Sequence, residues 1–589
     1  MSTQEDYTDG DVVLNRSGSR KLNGLARGDS VKRLPQLGRL DNREKGSAAN
    51  GNLQPNTPYE KLQAWMINEG NRVIFFSVWI ILHALVFSLA FVNYVYHDDL
   101  NNARTMFGIT YPIARAAALV LHVDAAMVLF PVCRNLISLF RTTSLNNIIP
   151  FDKNIQFHKQ IGISIFVFTW IHTIAHWINF ARAATELNGG FVLWLKLNFT
   201  TGPGLTGYVM LICLMVITFT SIEKQRKRHY NRFWYLHHLF IPFFACWAFH
   251  GAFCMIPADR EPKCKDIAVF WKYWIASGVI YIGERILREV RGHQPTYISK
   301  VIMHPSKVVE IQIRKPHMVT KAGQYIFLAC PDISLFQWHP FTLTSAPEED
   351  YLSVHIRVVG DFTNELAKRL GCNFDEEKRR RSEVRSTASG IEISMAPDLK
   401  NSLPRVMIDG PYGSASEDVF KFEVAMLVGA GIGVTPFASI LKSIWYRVNY
   451  PTKSTKLRKA YFLWICRDYK AFEWFRSLLA AIEEQDLDNF IEVQIYLTGG
   501  LNPDEIDNIM VNDDGTAIDA LTGLRSPTHY GRPVWDKIFQ NMRDLYPATD
   551  VGVFFCGPKP LGKQLHTKCN LWSQGFEDGT RFFYGKENF

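Results

Sequence analysis

Long apolar runs dominate residues 73–282, and a period-two alternation replaces them beyond residue 291. Six runs stand out: about Val73–Tyr96, Pro112–Phe140, Gly162–Phe180, Leu205–Ile222, Phe233–Met255 and Ile267–Ile282. Each is near the roughly 20 residues that a helix needs to cross a hydrocarbon core about 30 Å thick. The pattern predicts a bundle of six transmembrane helices. Alternation then sets in at Val308–Ile313 and Leu352–Arg357, as in half-buried strands. From about residue 420, strands alternate with helical stretches, which predicts a parallel α/β domain.

These shifts divide the chain into four parts. Residues 1–58 are polar, rich in Ser, Asn, Gly and Arg, and read as a disordered extension. Residues 59–290 form the membrane domain, 291–410 a strand-rich domain and 411–589 the α/β domain. A charged stretch at about 373–400, with Lys378-Arg379-Arg380-Arg381, reads as a flexible insertion.

Loop charge orients the bundle. Lys224, Arg226, Lys227 and Arg228 make one loop strongly basic, and Arg134, Arg141, Lys153, Arg285, Arg288 and Arg291 flank other runs on the same side. Basic loops stay in the cytosol, which places both termini there, in the plasma membrane or an endomembrane. Asn15-Arg16-Ser17 is then a silent sequon, and Asn198-Phe199-Thr200 a glycan acceptor close to the outer membrane surface. Cys254 and Cys264 share an outer loop, as a disulfide or as two free thiols.

Net charge is +9, with no basic–aromatic repeat suited to nucleic acid. The ten cysteines include no CxxC pair, so neither zinc nor an iron–sulfur cluster is favoured.

Four histidines carry the candidate chemistry of the membrane half. His158 and His172 are 14 residues apart, and His237 and His250 are 13 apart. Each spacing covers roughly 20 Å of helix, most of a bilayer core. Two side-by-side helices so marked suit two stacked haems. Fourteen residues return His158 and His172 to one face, whereas thirteen leave His237 and His250 about 140° apart. Either Pro242 distorts that helix or His238 is the ligand. His83 and His122 read as structural.

The cytosolic half carries flavin and nucleotide signals. His339-Pro340-Phe341-Thr342 begins a hydroxyl-rich aromatic turn suited to an isoalloxazine ring, and Arg357 with Gly360 suits a pyrophosphate. Val424–Val428 reads as a strand running into Gly429-Ala430-Gly431-Ile432-Gly433-Val434-Thr435-Pro436 and then an apolar helix. Such a turn brings pyrophosphate to a helix N-terminus. Gly410-Pro411 would cross between domains, Arg467 is placed for a 2′-phosphate, and Cys556-Gly557 would end a strand facing the nicotinamide.

Taken together, Leu129–Asn135, His172–His176, His339–Pro347, His355–Thr363, Gly429–Phe437 and Lys586–Phe589 resemble the catalytic subunit of the NADPH oxidase family, phagocyte type, over about residues 60–589. The N-terminal extension resembles the filamentous-fungal branch. The resemblance implies a six-helix haem bundle joined to a ferredoxin-reductase-like module, a β-barrel FAD domain followed by an α/β NADPH domain. It implies FAD, NADPH and two b-type haems, with His158 and His237 on the inner haem and His172 and His250 on the outer. It adds His355, Thr363 and a stacking Phe589 to the flavin contacts. Superoxide production is the implied activity; a ferric or cupric reductase is the alternative. Molecular oxygen and membrane lipid are implied partners, along with a cytosolic activator, a Rac-type GTPase and a small membrane subunit. Arg115 and His176, at the outer end of their helices, are the candidate oxygen site, where a cation stabilises developing superoxide charge.

Overall fold

A computed structural model describes residues 57–261, 263–264, 269–304, 306–374, 391–392, 403–451, 455–467, 473–484, 490–499, 518–519, 522–575 and 579–587. Residues 1–56 of the N-terminal extension, Lys378–Arg381 and Phe589 lie outside the described residues.

Helix α1 (Pro58–Tyr96) opens with a capping box in which Thr57 and Glu60 satisfy each other's backbone N–H. At 39 residues it is about 58 Å long, well beyond a bilayer core. Ile74, Val78, Ile81, Leu85 and Leu89 form one exposed apolar stripe along it, the face that lipid solvates. Helices α2 (Thr110–Met127), α3 (Asn154–Glu186) and α4 (Gly202–Ser221) complete the four segments long and apolar enough to cross a membrane among the described residues.

The fifth apolar run departs from the expected single helix. It forms α5 (Tyr230–His237) and α6 (Phe240–His250), separated at His238–Leu239. Pro242 explains the break. It lacks an N–H, and its ring would meet the carbonyl four residues back, that of His238. Placed in the first turn of α6, it is tolerated. The last membrane-proximal helix, α7 (Trp271–His293), ends in the charged segment that leads into the strands.

Strands β1 (Tyr297–His304), β2 (Val308–Arg314), β5 (Leu352–Arg357) and β6 (Ile391–Glu392) make one antiparallel sheet, ordered β5-β2-β1-β6. Strands β3 (Tyr325–Ala329), β4 (His339–Thr342) and β7 (Met407–Tyr412) make a second, ordered β4-β3-β7. A bridge between Leu343 and Val354 joins them around one core that includes Val301, Ile311, Ile326 and Leu328. Helix α8 (Asp361–Arg369) closes it with Phe362 and Leu366.

Beyond lies a parallel six-stranded sheet. It comprises β8 (Val424–Ala430), β9 (Lys459–Cys466), β10 (Ile491–Leu497), β11 (Thr528–Tyr530), β12 (Asp550–Cys556) and β13 (Arg581–Lys586), ordered β11-β10-β9-β8-β12-β13. Helices α9 (Thr435–Asn449) and α10 (Glu473–Glu484) cover one face through Phe437, Ile440, Phe475 and Leu479. Helices α11 (Trp535–Leu545) and α12 (Lys559–Trp572) cover the other through Phe539, Met542 and Leu565. Both faces are thus buried, as a parallel sheet requires.

The N-terminal end of α1 is joined to this domain. Asn68 Nδ2 donates to the carbonyl of Phe582 at 2.9 Å, and its Oδ1 accepts from the Tyr584 N–H at 2.7 Å. Arg141 pairs with Asp418 at 3.0 Å, and the Arg134 guanidinium lies 3.7 Å over the Phe327 ring.

Candidate functional site

The four histidines meet as two pairs. The ring centres of His158 and His237 are 6.2 Å apart, and those of His172 and His250 are 6.3 Å apart. Two imidazoles on opposite sides of one metal, each bonded at about 2.0–2.1 Å, place their ring centres about 6.4 Å apart. Both pairs therefore have the spacing of two histidines that share one metal ion.

The other ring nitrogens support that fit. His158 Nδ1 faces the Val128 carbonyl at 2.8 Å, and His172 Nδ1 the Ala114 carbonyl at 3.0 Å. A carbonyl only accepts, so both nitrogens carry the proton and Nε2 presents its lone pair. His250 Nδ1 meets the Thr206 hydroxyl at 2.8 Å, and His237 Nδ1 meets Ser221 at 3.4 Å. Ala114 and Val128 are 14 residues apart along α2, which separates the two levels by about 21 Å. His238 is turned back instead, its Nδ1 on the Trp234 carbonyl at 2.8 Å.

A cavity of about 960 Å3 opens around the second pair. Arg115, His122, His172, His176 and His250 all line it. Arg115 donates to the Tyr94 hydroxyl at 3.2 Å and stands 5.1 Å from that ring's centre. His176 packs edge-on against His172 at 4.5 Å, and its buried Nδ1 has no hydrogen-bond partner in the structure. The candidate oxygen residues are thus brought to the same cavity.

His122, read as structural, also lines this cavity, stacked on Tyr273 at 4.2 Å, with its Nδ1 buried and without a partner. It lies seven residues from Arg115, on the same face of α2, which was the available signal. His83 is structural as expected, bonded to buried Asp124 at 2.9 Å.

The Cys254–Cys264 disulfide is formed, with Cα atoms 5.8 Å apart. Asn198 corrects its expectation as a glycan acceptor. The residue is only 1% exposed, its amide donates to Trp194 O, and its oxygen accepts from Tyr208. The folded chain leaves no space there for a sugar.

In the strand-rich part, β4 carries His339, Pro340, Phe341 and Thr342, and β5 carries His355 and Arg357. His339 stacks on Phe362 at 3.9 Å, and burial pushes its imidazole down to about 4. Thr363 accepts the N–H groups of Val359 and Gly360 at the start of α8. Arg357 is exposed, whereas His355 is engaged inside the sheet by Thr344 at 2.8 Å and Glu310 at 3.4 Å.

The glycine-rich turn sits where β8 leads into α9, with Thr435 and Pro436 in the first helical turn. Gly431 holds φ at +60°, and a Cβ on Gly433 would stand 2.3 Å from the Cys556 carbonyl oxygen. β8 lies between β9 and β12, where the strand order reverses, and Cys556 pairs with Gly429 across that point. Ligands of open α/β sheets bind there. Burial pushes the Cys556 thiol up to about 12. Gly410-Pro411 is a cis bond in β7, and exposed Arg467 follows β9.

Three family models match: a ferric reductase like transmembrane component at residues 123–248, an FAD-binding domain at 294–416 and a ferric reductase NAD binding domain at 422–570. The chain is 40% identical to a superoxide-generating NADPH oxidase heavy chain of Dictyostelium discoideum, over 90% of this chain and 99% of that one. It is 36% identical to mouse NADPH oxidase 1, over 89% and 95%. Human NADPH oxidase 3 is likewise 36% identical, over 89% and 99%.

Proposed function

The chain belongs to the NADPH oxidase family, and from that premise we propose how its own residues carry out the transmembrane oxidation of NADPH by oxygen. It is a membrane flavoprotein that generates superoxide, using NADPH, FAD and two haems. When bound, the flavin converts a hydride into single electrons and the haems carry these across the bilayer.

The observation that carries the residue assignments is the pair of 6.2 and 6.3 Å histidine spacings. His158 with His237, and His172 with His250, would hold the two irons, each imidazole oriented through its Nδ1. On the cytosolic side, Gly429, Gly431, Gly433, Thr435 and Pro436 bind the NADPH pyrophosphate at the start of α9. Arg467 receives the 2′-phosphate, and Cys556 with Gly557 borders the nicotinamide. The Cys556 thiol stays protonated at neutral pH, so it packs beside the ring without adding charge. Gly410 and Pro411 line the passage between domains. His339, Pro340, Phe341 and Thr342 bed the flavin, Arg357 takes its phosphates, and Thr363 orders the α8 start beside them. At the outer end, Arg115 and His176 face oxygen in the cavity, where the guanidinium stabilises the charge of superoxide.

The domain assignment is 59–290 for a six-crossing membrane part, with α5 and α6 together as the fifth crossing and α7 as the sixth. The flavin part is 291–410 and the nucleotide part 411–589. Both termini are cytosolic, as the joining of α1 to β13 supports. A cytosolic activator, a Rac-type GTPase and a small membrane subunit are the proposed partners. The ferric-reductase description of two matched models keeps metal reduction as the second reading.

Membranes expressing the chain and its activators should give an NADPH-dependent signal abolished by superoxide dismutase. Ferric iron reduced without oxygen consumption would favour the second reading instead.

A further inference from the structure

A third histidine cluster lies away from the membrane, on the flavin-domain sheet. Neighbouring strands contribute one residue each: His304 ends β1, Glu310 lies in β2 and His355 in β5. Glu310 and His355 stand directly opposite in register. All three side chains are nearly buried, at 10%, 11% and 8% exposure. Glu310 Oε2 is 3.0 Å from His304 Nε2 and 3.4 Å from His355 Nε2, and the donor atoms of the three side chains all lie within 4.8 Å of one another.

The same bond lengths set the spacing expected of a metal site here. In a tetrahedral site with bonds of about 2.0–2.1 Å, adjacent ligand atoms are about 3.3–3.4 Å apart. Two imidazoles sharing that ion at the tetrahedral angle have ring centres about 5.2 Å apart. The His304 and His355 centres are 5.3 Å apart with planes only 24° apart. That distance is about an ångström shorter than in the membrane pairs, as a change from opposite to adjacent ligation requires.

The outer atoms are arranged as in a metal site. His355 Nδ1 meets the Thr344 hydroxyl at 2.8 Å, while its Nε2 is turned to Glu310 and His304. Glu310 Oε1 accepts from Gln312 at 2.9 Å, which leaves Oε2 facing both imidazoles. We propose that His304, Glu310 and His355 form a binding site for a zinc-class divalent cation on the flavin domain. Two histidines and a carboxylate are a known zinc donor set, and a water completes the tetrahedron. The assignment moves His355 from flavin contact to metal ligand and does not depend on the electron-transfer reading. The ion would pin β1, β2 and β5, the last of which carries Arg357.

The test uses untagged holoprotein equilibrated with zinc sulfate and passed through a desalting column. Zinc is counted per chain by elemental analysis, with haem and flavin absorbance in the same sample. Wild-type protein should retain one zinc, and His304→Gln and Glu310→Gln roughly a tenth or less, with haem and flavin unchanged. No retained zinc in wild-type protein, or equal zinc in the variants, overturns the proposal. Should the variants fail to fold, zinc-edge absorption of the wild-type sample decides. Two imidazoles at about 2.0–2.1 Å support the site, and a shell lacking imidazole overturns it.

Discussion

The membrane part and the nucleotide-binding part build their sites by opposite means. In the membrane part, the proposed haem sites rest on four side chains, and the Nδ1 of each meets one neighbouring oxygen. In the nucleotide domain the backbone does it, through a glycine turn, a helix start and the ends of parallel strands. Lipid explains the difference. A bilayer offers no water to loose backbone, so a site there must hang from intact helices. In the cytosol a loop can shape itself around phosphate. Substitution should therefore act differently in the two halves: removing a side chain harms the first, and adding one harms the second.

The largest expected effect is at the irons. His172→Ala should abolish superoxide and remove one haem, while NADPH still reduces the remaining one. His158→Ala should abolish both the activity and haem reduction by NADPH. Difference spectra of the two variants check this asymmetry, and equal behaviour would break it.

Next comes Gly433→Ala. Its Cβ would press on the Cys556 carbonyl, which is backbone and has little room to yield. We expect kcat/KM for NADPH to fall roughly 100-fold with haem content intact, since a misplacement of about an ångström can cost that much. Stopped-flow flavin reduction reads it.

Arg115→Ala should lower superoxide output about tenfold or more, because the cation that stabilises the charge of superoxide is lost. Haem content and NADPH-driven haem reduction should remain unchanged, which separates oxygen reduction from the earlier steps.

A pH effect belongs to the FAD-binding domain. Burial holds His339 near 4, below its ordinary value of 6.5. A depressed folded value means that its contribution is intact above about pH 6.5 and is lost as pH falls towards 4. The unfolding temperature of the flavin domain should fall as pH drops across that window, and His339→Gln should flatten the decline.

The smallest expected effect compares Thr206→Val with Ser221→Ala. The Thr206 bond is 2.8 Å and the Ser221 contact 3.4 Å, so the first substitution should shift its haem's potential more. A shift of a few tens of millivolts is the expected scale, with about 59 mV marking a tenfold change for one electron.

Much of this was legible in the chain. His158 and His172 lie on one uninterrupted helix, so counting residues puts them on one face of it. His237 and His250 resisted counting because helical periodicity fails at the His238–Leu239 break, whose cause, Pro242, lies on its far side. The strand before Gly429 and the helix after it were plain from local pattern. That Cys556 lies across from Gly429 was not, because strand order depends on crossovers, not on local residues. His304 and Glu310 gave no signal at all. Their partner His355 is some fifty residues away, and a sheet, not a sequence motif, brings them together. Asn198 misled because a sequon reports residue type and says nothing of burial.

The most direct test of the central claim is to count low-spin haem per flavin in purified protein by electron paramagnetic resonance and absorbance. The account predicts two haems per flavin, both low-spin with two imidazole ligands. One haem per flavin, or a high-spin iron with an open position, would contradict it.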